Sequence, residues 1–288
     1  MSAPSSTGSA DPSSALADPR PIHHGDGAHA VLLLHGLTGT PYDVAPFADA
    51  LSARGFAVRA PLLAGHTDLA TLETTSWRDW YASAEAAFDE LHAEGRRRVV
   101  VLGFSLGSLL ALRLGALRGS EITGLIAISV PLEVPSWQRI GINALARLRT
   151  TPGLGRIVGM LPSEGPDVRV ERVFRQSPSL RGFPFPSLAE LVALQDEVTD
   201  LLPYVRPPLL LLHGQHDHRA PVELADRVAQ RVGSRTVHKI ILPRSFHIIA
   251  HDLDRERARD EIVGFCLSVL GRPVPPPTTN ETNPETSS

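Results

Sequence analysis

The stretch Val99-Val100-Val101-Leu102-Gly103-Phe104-Ser105-Leu106-Gly107 changes character within nine residues. Its first four side chains form an unbroken apolar run, the pattern of a strand buried on both faces. From Leu106 the apolar residues fall at helical spacing as far as Leu117. Between the two lies a Gly-x-Ser-x-Gly segment, so the chain must turn sharply from strand to helix at Ser105. Glycine at 103 and 107 removes the side chains that would collide across such a turn, and the serine is left projecting at the helix N-terminus. A buried strand feeding directly into a helix belongs to a sheet covered by helices.

The same alternation extends in both directions. Further strands are expected at Ala30–Leu34, Phe56–Ala60, Arg98–Leu102, Gly124–Ser129, Pro208–Leu212 and Val237–Leu242. Helical periodicity runs through Tyr42–Ala53, Ser76–Ala93, Leu106–Leu117, Pro221–Val232 and Asp254–Leu270, with Pro41 and Pro221 suited to first turns. The reading is an α/β fold with a mostly parallel sheet and helices on both faces. Nearly eighty residues separate Ser129 from Pro208, where one helix would suffice. Residues 131–205 therefore read as a lid inserted into a core of 22–130 and 206–270, with helical patterns at Ser136–Arg149 and Ser187–Leu202 around a Pro- and Gly-rich middle. Residues 1–21 and 271–288 hold nine of the 25 prolines and almost no large apolar side chains, and are expected to be disordered tails.

Composition narrows the function. Of 288 residues, 42% are hydrophobic and 20% charged, which suits burial-driven folding. The net charge is −3 with basic residues scattered, so neither a nucleic-acid footprint nor a polybasic membrane face is present. Residues 1–21 lack the basic start and apolar stretch of a secretory signal, and no apolar run is long enough to span a bilayer; a cytoplasmic protein is expected. The single cysteine, Cys266, excludes an intrachain disulfide and reads as a small core residue.

A serine hydroxyl is a poor nucleophile at neutral pH and needs a base, and the base needs an orienting acid. His247 follows the last expected strand and Asp217 the one before it, so both stand at strand ends on the same sheet edge as Ser105. Asp196 and Asp200 fall inside the insertion, and Asp252 opens the segment after the histidine, which leaves Asp217 as the acid. The turn Leu34-His35-Gly36-Leu37-Thr38-Gly39 aims the Leu37 N–H, with that of Leu106, at a developing oxyanion. His35 reads as a loop-pinning residue. His213, His216, Asp217 and His218 lack metal-ligand spacing, and Trp77, Trp80 and Tyr81 at helical spacing read as packing. Neither a metal nor a cofactor is expected.

In LLLHGLTGTP (32–41), APLLAGHTD (60–68), VVLGFSLGS (100–108), RPPLLLLHGQHDHRAP (206–221) and SFHIIAHDLDRERA (245–258) the chain resembles the bacterial carboxylesterase and monoacylglycerol lipase group of α/β hydrolases, over roughly residues 30–270. The resemblance implies an α/β-hydrolase fold with a small lid. It also implies Ser105 as nucleophile, His247 as base, Asp217 as its orienter, Leu37 and Leu106 as oxyanion donors, and a small-molecule ester of short to medium acyl chain as substrate. Ser108, Phe246 and the loop Gly65-His66-Thr67 depart from the group's commoner residues near the site. A thioesterase or amidase on the same residues, or a binding module that has lost turnover, are the alternatives.

Overall fold

The computed structural model describes residues 17–153, 155, 158–163 and 165–271. Among these residues seven strands form one sheet: β1 (Ile22–His24), β2 (His29–Leu34), β3 (Ala57–Ala60), β4 (Arg98–Phe104), β5 (Ile122–Ile128), β6 (Leu209–Gly214) and β7 (Val237–Leu242), in the order β1-β3-β2-β4-β5-β6-β7. All neighbours are parallel except β1, which runs antiparallel to β3 at the edge. The helices are α1 (Ala45–Ser52), α2 (Leu69–Thr74), α3 (Trp77–Ala93), α4 (Leu106–Leu117), α5 (Ser136–Thr150), α6 (Glu171–Gln176), α7 (Phe185–Leu201), α8 (Glu223–Arg231) and α9 (Arg255–Leu270).

Successive strand residues point to opposite faces, so a strand apolar at every position supplies two cores. Val99 and Val101 of β4 join Leu32, Leu34, Leu209 and Leu211 under α3, α4 and α8. Val100 and Leu102 join Val31, Leu33, Val58 and Leu210 under α1 and α9. Trp80 and Phe88 of α3 are fully buried in the first core and Cys266 of α9 in the second, so these residues act as packing.

The strand order positions the site. The chain adds β3 on one side of β2 and β4 on the other, so the direction of winding switches between β2 and β4, the place where open α/β sheets form a crevice. Leu34 pairs with Gly103 in register, which sets the turn after β2 beside the turn after β4.

Several sequence expectations are adjusted. The helix expected from Tyr42 is a 3-10 turn (Pro41–Val44) followed by α1, with Pro46 in its first turn. β5 runs Ile122–Ile128 rather than Gly124–Ser129, because Ser129 turns out of the strand with φ 52°. β1, α2 and α6 had no signal: each has three to six residues, too few for a period to register. Of the expected tails, residues 1–16 and 272–288 lie outside the described residues. Between β5 and β6 the chain forms α5, α6 and α7, the last beginning at Phe185 where Pro184 and Pro186 shape its first turn.

Candidate active site

Ser105 sits between β4 and α4 with φ 52° and ψ −119°, a backbone that costs a non-glycine residue on the order of 1–3 kcal/mol. The fold holds it there. The Ser105 N–H donates to the Ile128 carbonyl at 2.9 Å, and its own carbonyl accepts from the Ser108 N–H at 2.9 Å and the Ser108 hydroxyl at 2.5 Å. Ser108 is thus a buried brace of the turn. The flanking glycines are obligatory: a Cβ on Gly103 would lie 2.1 Å from the Gly107 carbonyl oxygen, and one on Gly107 would lie 2.1 Å from that of Leu34.

His247 Nε2 lies 2.9 Å from Ser105 Oγ, and its Nδ1 lies 2.7 Å from Asp217 Oδ2. A carboxylate only accepts, so Nδ1 carries the proton and Nε2 is left to accept from the serine hydroxyl. Asp217 Oδ1 accepts the Arg219 and Ala220 N–H groups, each at 2.8 Å. Its side chain is fully enclosed. Burial alone would raise its pKa, but the attraction of His247 in its protonated form, hydrogen bonds from His213 and His247 and the Ala220 N–H outweigh it and hold the carboxyl far below the usual range. His213 Nε2 donates to the Ala220 carbonyl at 2.9 Å and passes 3.3 Å from Asp217 Oδ2, stiffening the loop from below.

The rival carboxylates have other work. Asp252 is buried and accepts the Phe246 N–H at 2.7 Å and the Arg169 N–H at 3.2 Å, so it fixes the loop that carries His247. Asp196 pairs with Arg139 on α5. Among the described residues no group of three or more His, Cys, Asp or Glu side chains is placed to hold a metal.

The turn after β2 closes with the Gly39 N–H donating to the Gly36 carbonyl at 3.1 Å, and places Thr38, a β-branched residue, at φ 62°. His35 pins the loop: its Nδ1 meets the Gly36 carbonyl at 2.9 Å, and its Nε2 accepts the Leu63 N–H at 3.0 Å. Burial, with His66 beside it, keeps the His35 imidazole neutral and its pKa well below the ordinary value. It faces the loop rather than the serine. Leu37 lines the pocket with Gly36 and Ser105, while Leu106 opens α4, where the first N–H groups have no partner within the helix.

Three positioning contacts had no signal in the sequence. The Ser129 hydroxyl donates to the His247 carbonyl at 2.9 Å. Asp167, from the segment between β5 and β6, accepts the His218 N–H at 3.0 Å and meets His218 Nδ1 at 2.8 Å. The Asp167 carbonyl accepts the Ile248 N–H at 3.1 Å. One residue therefore ties the loop carrying Asp217 to the loop carrying His247. Each contact joins residues far apart in the chain, which local pattern does not register.

Over Ser105 opens a cavity of about 190 Å³. Leu37, Phe104 and Ile248 wall it from the sheet side, and Val134, Leu161, Phe183, Leu188 and Leu191 from the segment between β5 and β6. Arg219 stacks over Phe183 at 5.3 Å. No helix among the described residues is long and apolar enough to cross a membrane.

The chain is 30% identical over 260 residues to the thermostable monoacylglycerol lipase of Bacillus sp. (strain H-257), covering 89% of this chain and 97% of that one. It is 26% identical over 251 residues to a carboxylesterase of Bacillus subtilis (strain 168), covering 86% and 96%. Among solved structures it is similar to a metagenome-derived lipolytic enzyme, at a TM-score of 0.78 and 25% identity over 88% of this chain and 99% of that one. The monoacylglycerol lipase of Paleococcus ferrophilus shares the fold at a TM-score of 0.71 and 21% identity, over 88% and 99%. Residues 26–254 match the family described as serine aminopeptidase, S33, and the chain belongs to that family within the α/β-hydrolase superfamily.

Proposed function

We propose that the protein hydrolyses carboxylic esters with apolar acyl groups of short to medium length, monoacylglycerols among them, through an acyl-serine intermediate. The observation that carries the reading is the Ser105–His247–Asp217 hydrogen-bond chain, at 2.9 and 2.7 Å, opening into a cavity walled mainly by apolar side chains. His247 Nε2 takes the Ser105 proton as Oγ attacks the ester carbonyl, while Asp217 holds the imidazole in the required tautomer and stabilises its charged form. The Leu37 and Leu106 N–H groups receive the oxyanion. His247 then protonates the leaving alcohol, and water, deprotonated by the same imidazole, releases the acid. Residues 131–205 act as a lid over the acyl group in this reading, since they supply much of the apolar wall.

The names of the relatives favour esters, whereas the family description names an aminopeptidase, so amide cleavage is the second reading. An amide leaving group needs fuller protonation by His247, and the site offers the same imidazole for either. The test is a panel of p-nitrophenyl esters of increasing chain length beside matched anilides, with Ser105→Ala as control. Ester turnover far above anilide turnover, abolished in Ser105→Ala with the fold retained, is expected; undiminished turnover in that variant would refute the assignment.

A further inference from the structure

Asp43 lies in the 3-10 turn that follows the loop Gly36–Thr40, and only 3% of it is exposed. It lines the cavity over Ser105, yet no step of the mechanism uses it. The backbone N–H groups of Gly36 and Thr40 face its carboxylate, and its Oδ1 has no hydrogen-bond partner. Burying a carboxylate this incompletely bonded is expensive, and its pKa is pushed up to about 7, with burial as the cause.

A simple helix cap does not account for that expense. The chain carries a capping aspartate of the ordinary kind in Asp79, which accepts the Ser76 N–H at 2.8 Å at the start of α3. Asp79 does this from the surface, and its pKa is lowered by the same backbone bond. Asp43 stands three residues after Thr40 as Asp79 stands after Ser76, but in the interior and with the Gly36 N–H, across the strained turn, facing it as well. Contact with that turn is tight: a Cβ on Gly39 would stand 1.8 Å from Asp43 Oδ2, so only glycine leaves room for the carboxylate.

The turn needs such an anchor. Thr38 at φ 62° is a β-branched residue in a left-handed conformation, which persists only where surroundings overdetermine it. From the segment between β5 and β6 the Leu180 N–H donates to the Thr38 carbonyl at 2.8 Å, and from β3's following loop Leu63 holds His35. From beneath, the Asp43 carboxyl faces the N–H groups at both ends of the loop, Gly36 and Thr40, with Leu37 between them.

From this geometry we infer that Asp43 is a positioning residue for the oxyanion: its carboxylate clamps the Gly36–Thr40 turn so that the Leu37 N–H points at the tetrahedral intermediate above Ser105. The inference rests on the proposed acyl-serine mechanism and extends it. An N–H held in place by a buried anchor costs no reorganisation when charge develops, which is the condition under which such donors act most strongly. Loss of the clamp therefore falls on the transition state rather than on ground-state binding.

The experiment compares wild type with Asp43→Ala, Asp43→Asn and Gly39→Ala, the last of which leaves the carboxylate in place but forces it from the turn. Measured for each are kcat and KM on p-nitrophenyl butyrate, the inhibition constant of an alkyl trifluoromethyl ketone, the active-serine fraction by fluorophosphonate titration, and folding by circular dichroism. Expected for Asp43→Ala and Gly39→Ala is a fall in kcat of about ten- to a hundredfold, less than removal of a donor outright, with KM within about twofold. The trifluoromethyl ketone, whose adduct places an oxyanion in the same spot, weakens in parallel. Asp43→Asn keeps one carbonyl acceptor and loses less than about tenfold. Folded Asp43→Ala with kcat unchanged, or with kcat reduced and ketone binding unaltered, overturns the inference. A wild type that neither turns over the ester nor takes up the fluorophosphonate overturns the Ser105 reading beneath it instead.

Discussion

Replacement of Asp43 by Asn should change how stability depends on pH, and the structure supplies the magnitude. Burial lifts the carboxyl from 3.8 to about 7 in the folded protein, whereas the unfolded chain titrates near 3.8. Between these values the native state binds a proton that the unfolded state has lost, so stability falls as pH rises through this window. From 3.8 to about 7, at about 1.36 kcal/mol per pH unit, the loss is on the order of 4 kcal/mol and is complete above about pH 7. Asparagine has the same shape and does not titrate. The neighbouring titratable group, Tyr42, is itself pushed upward by burial, by Asp43 and against Arg172, and stays neutral throughout. Urea unfolding of both proteins from about pH 4 to about pH 8, read as wild type minus Asp43→Asn, cancels contributions common to the two. That difference should decline by several kcal/mol as pH rises, the variant gaining relative stability at neutral pH. A difference that stays flat would show that Asp43 titrates as an exposed carboxylate, contrary to the burial described.

Gly107→Ala sets a Cβ 2.1 Å from the Leu34 carbonyl oxygen, backbone against backbone, and should destabilise the fold by more than about 3 kcal/mol or prevent soluble expression; a normal melting profile would count against the turn geometry. Asp167→Ala removes both carboxylate contacts with His218 and should lower kcat several-fold, whereas His218→Ala removes only the one at Nδ1 and should cost less, with the double variant no worse than Asp167→Ala; full additivity in the cycle would argue against a shared contact. Cys266 is wholly buried with its thiol pushed upward by burial, so Ellman's reagent should react only after denaturant unfolds the chain, and prompt labelling of the native protein would contradict its place in the core.

What the amino-acid sequence determined was whatever is written in short-range chemistry. An unbroken apolar run at Val99–Leu102 followed by glycines at 103 and 107 specifies strand, tight turn and helix from neighbouring residues alone, and the same local logic locates the strand ends that bear Asp217 and His247. Order along the chain then suffices for the α/β class. The tertiary structure alone decided the rest, because those features depend on residues brought together by packing. Asp43 and Asp79 look alike as turn aspartates in sequence, and only their depth separates a surface cap from a buried anchor. The edge strand β1 is held by pairing with β3, since three residues carry no period of their own. Asp167 reaches His218 across 51 positions and Ser129 reaches the His247 backbone across 118, distances over which spacing holds no information and only the closing of the sheet makes them neighbours.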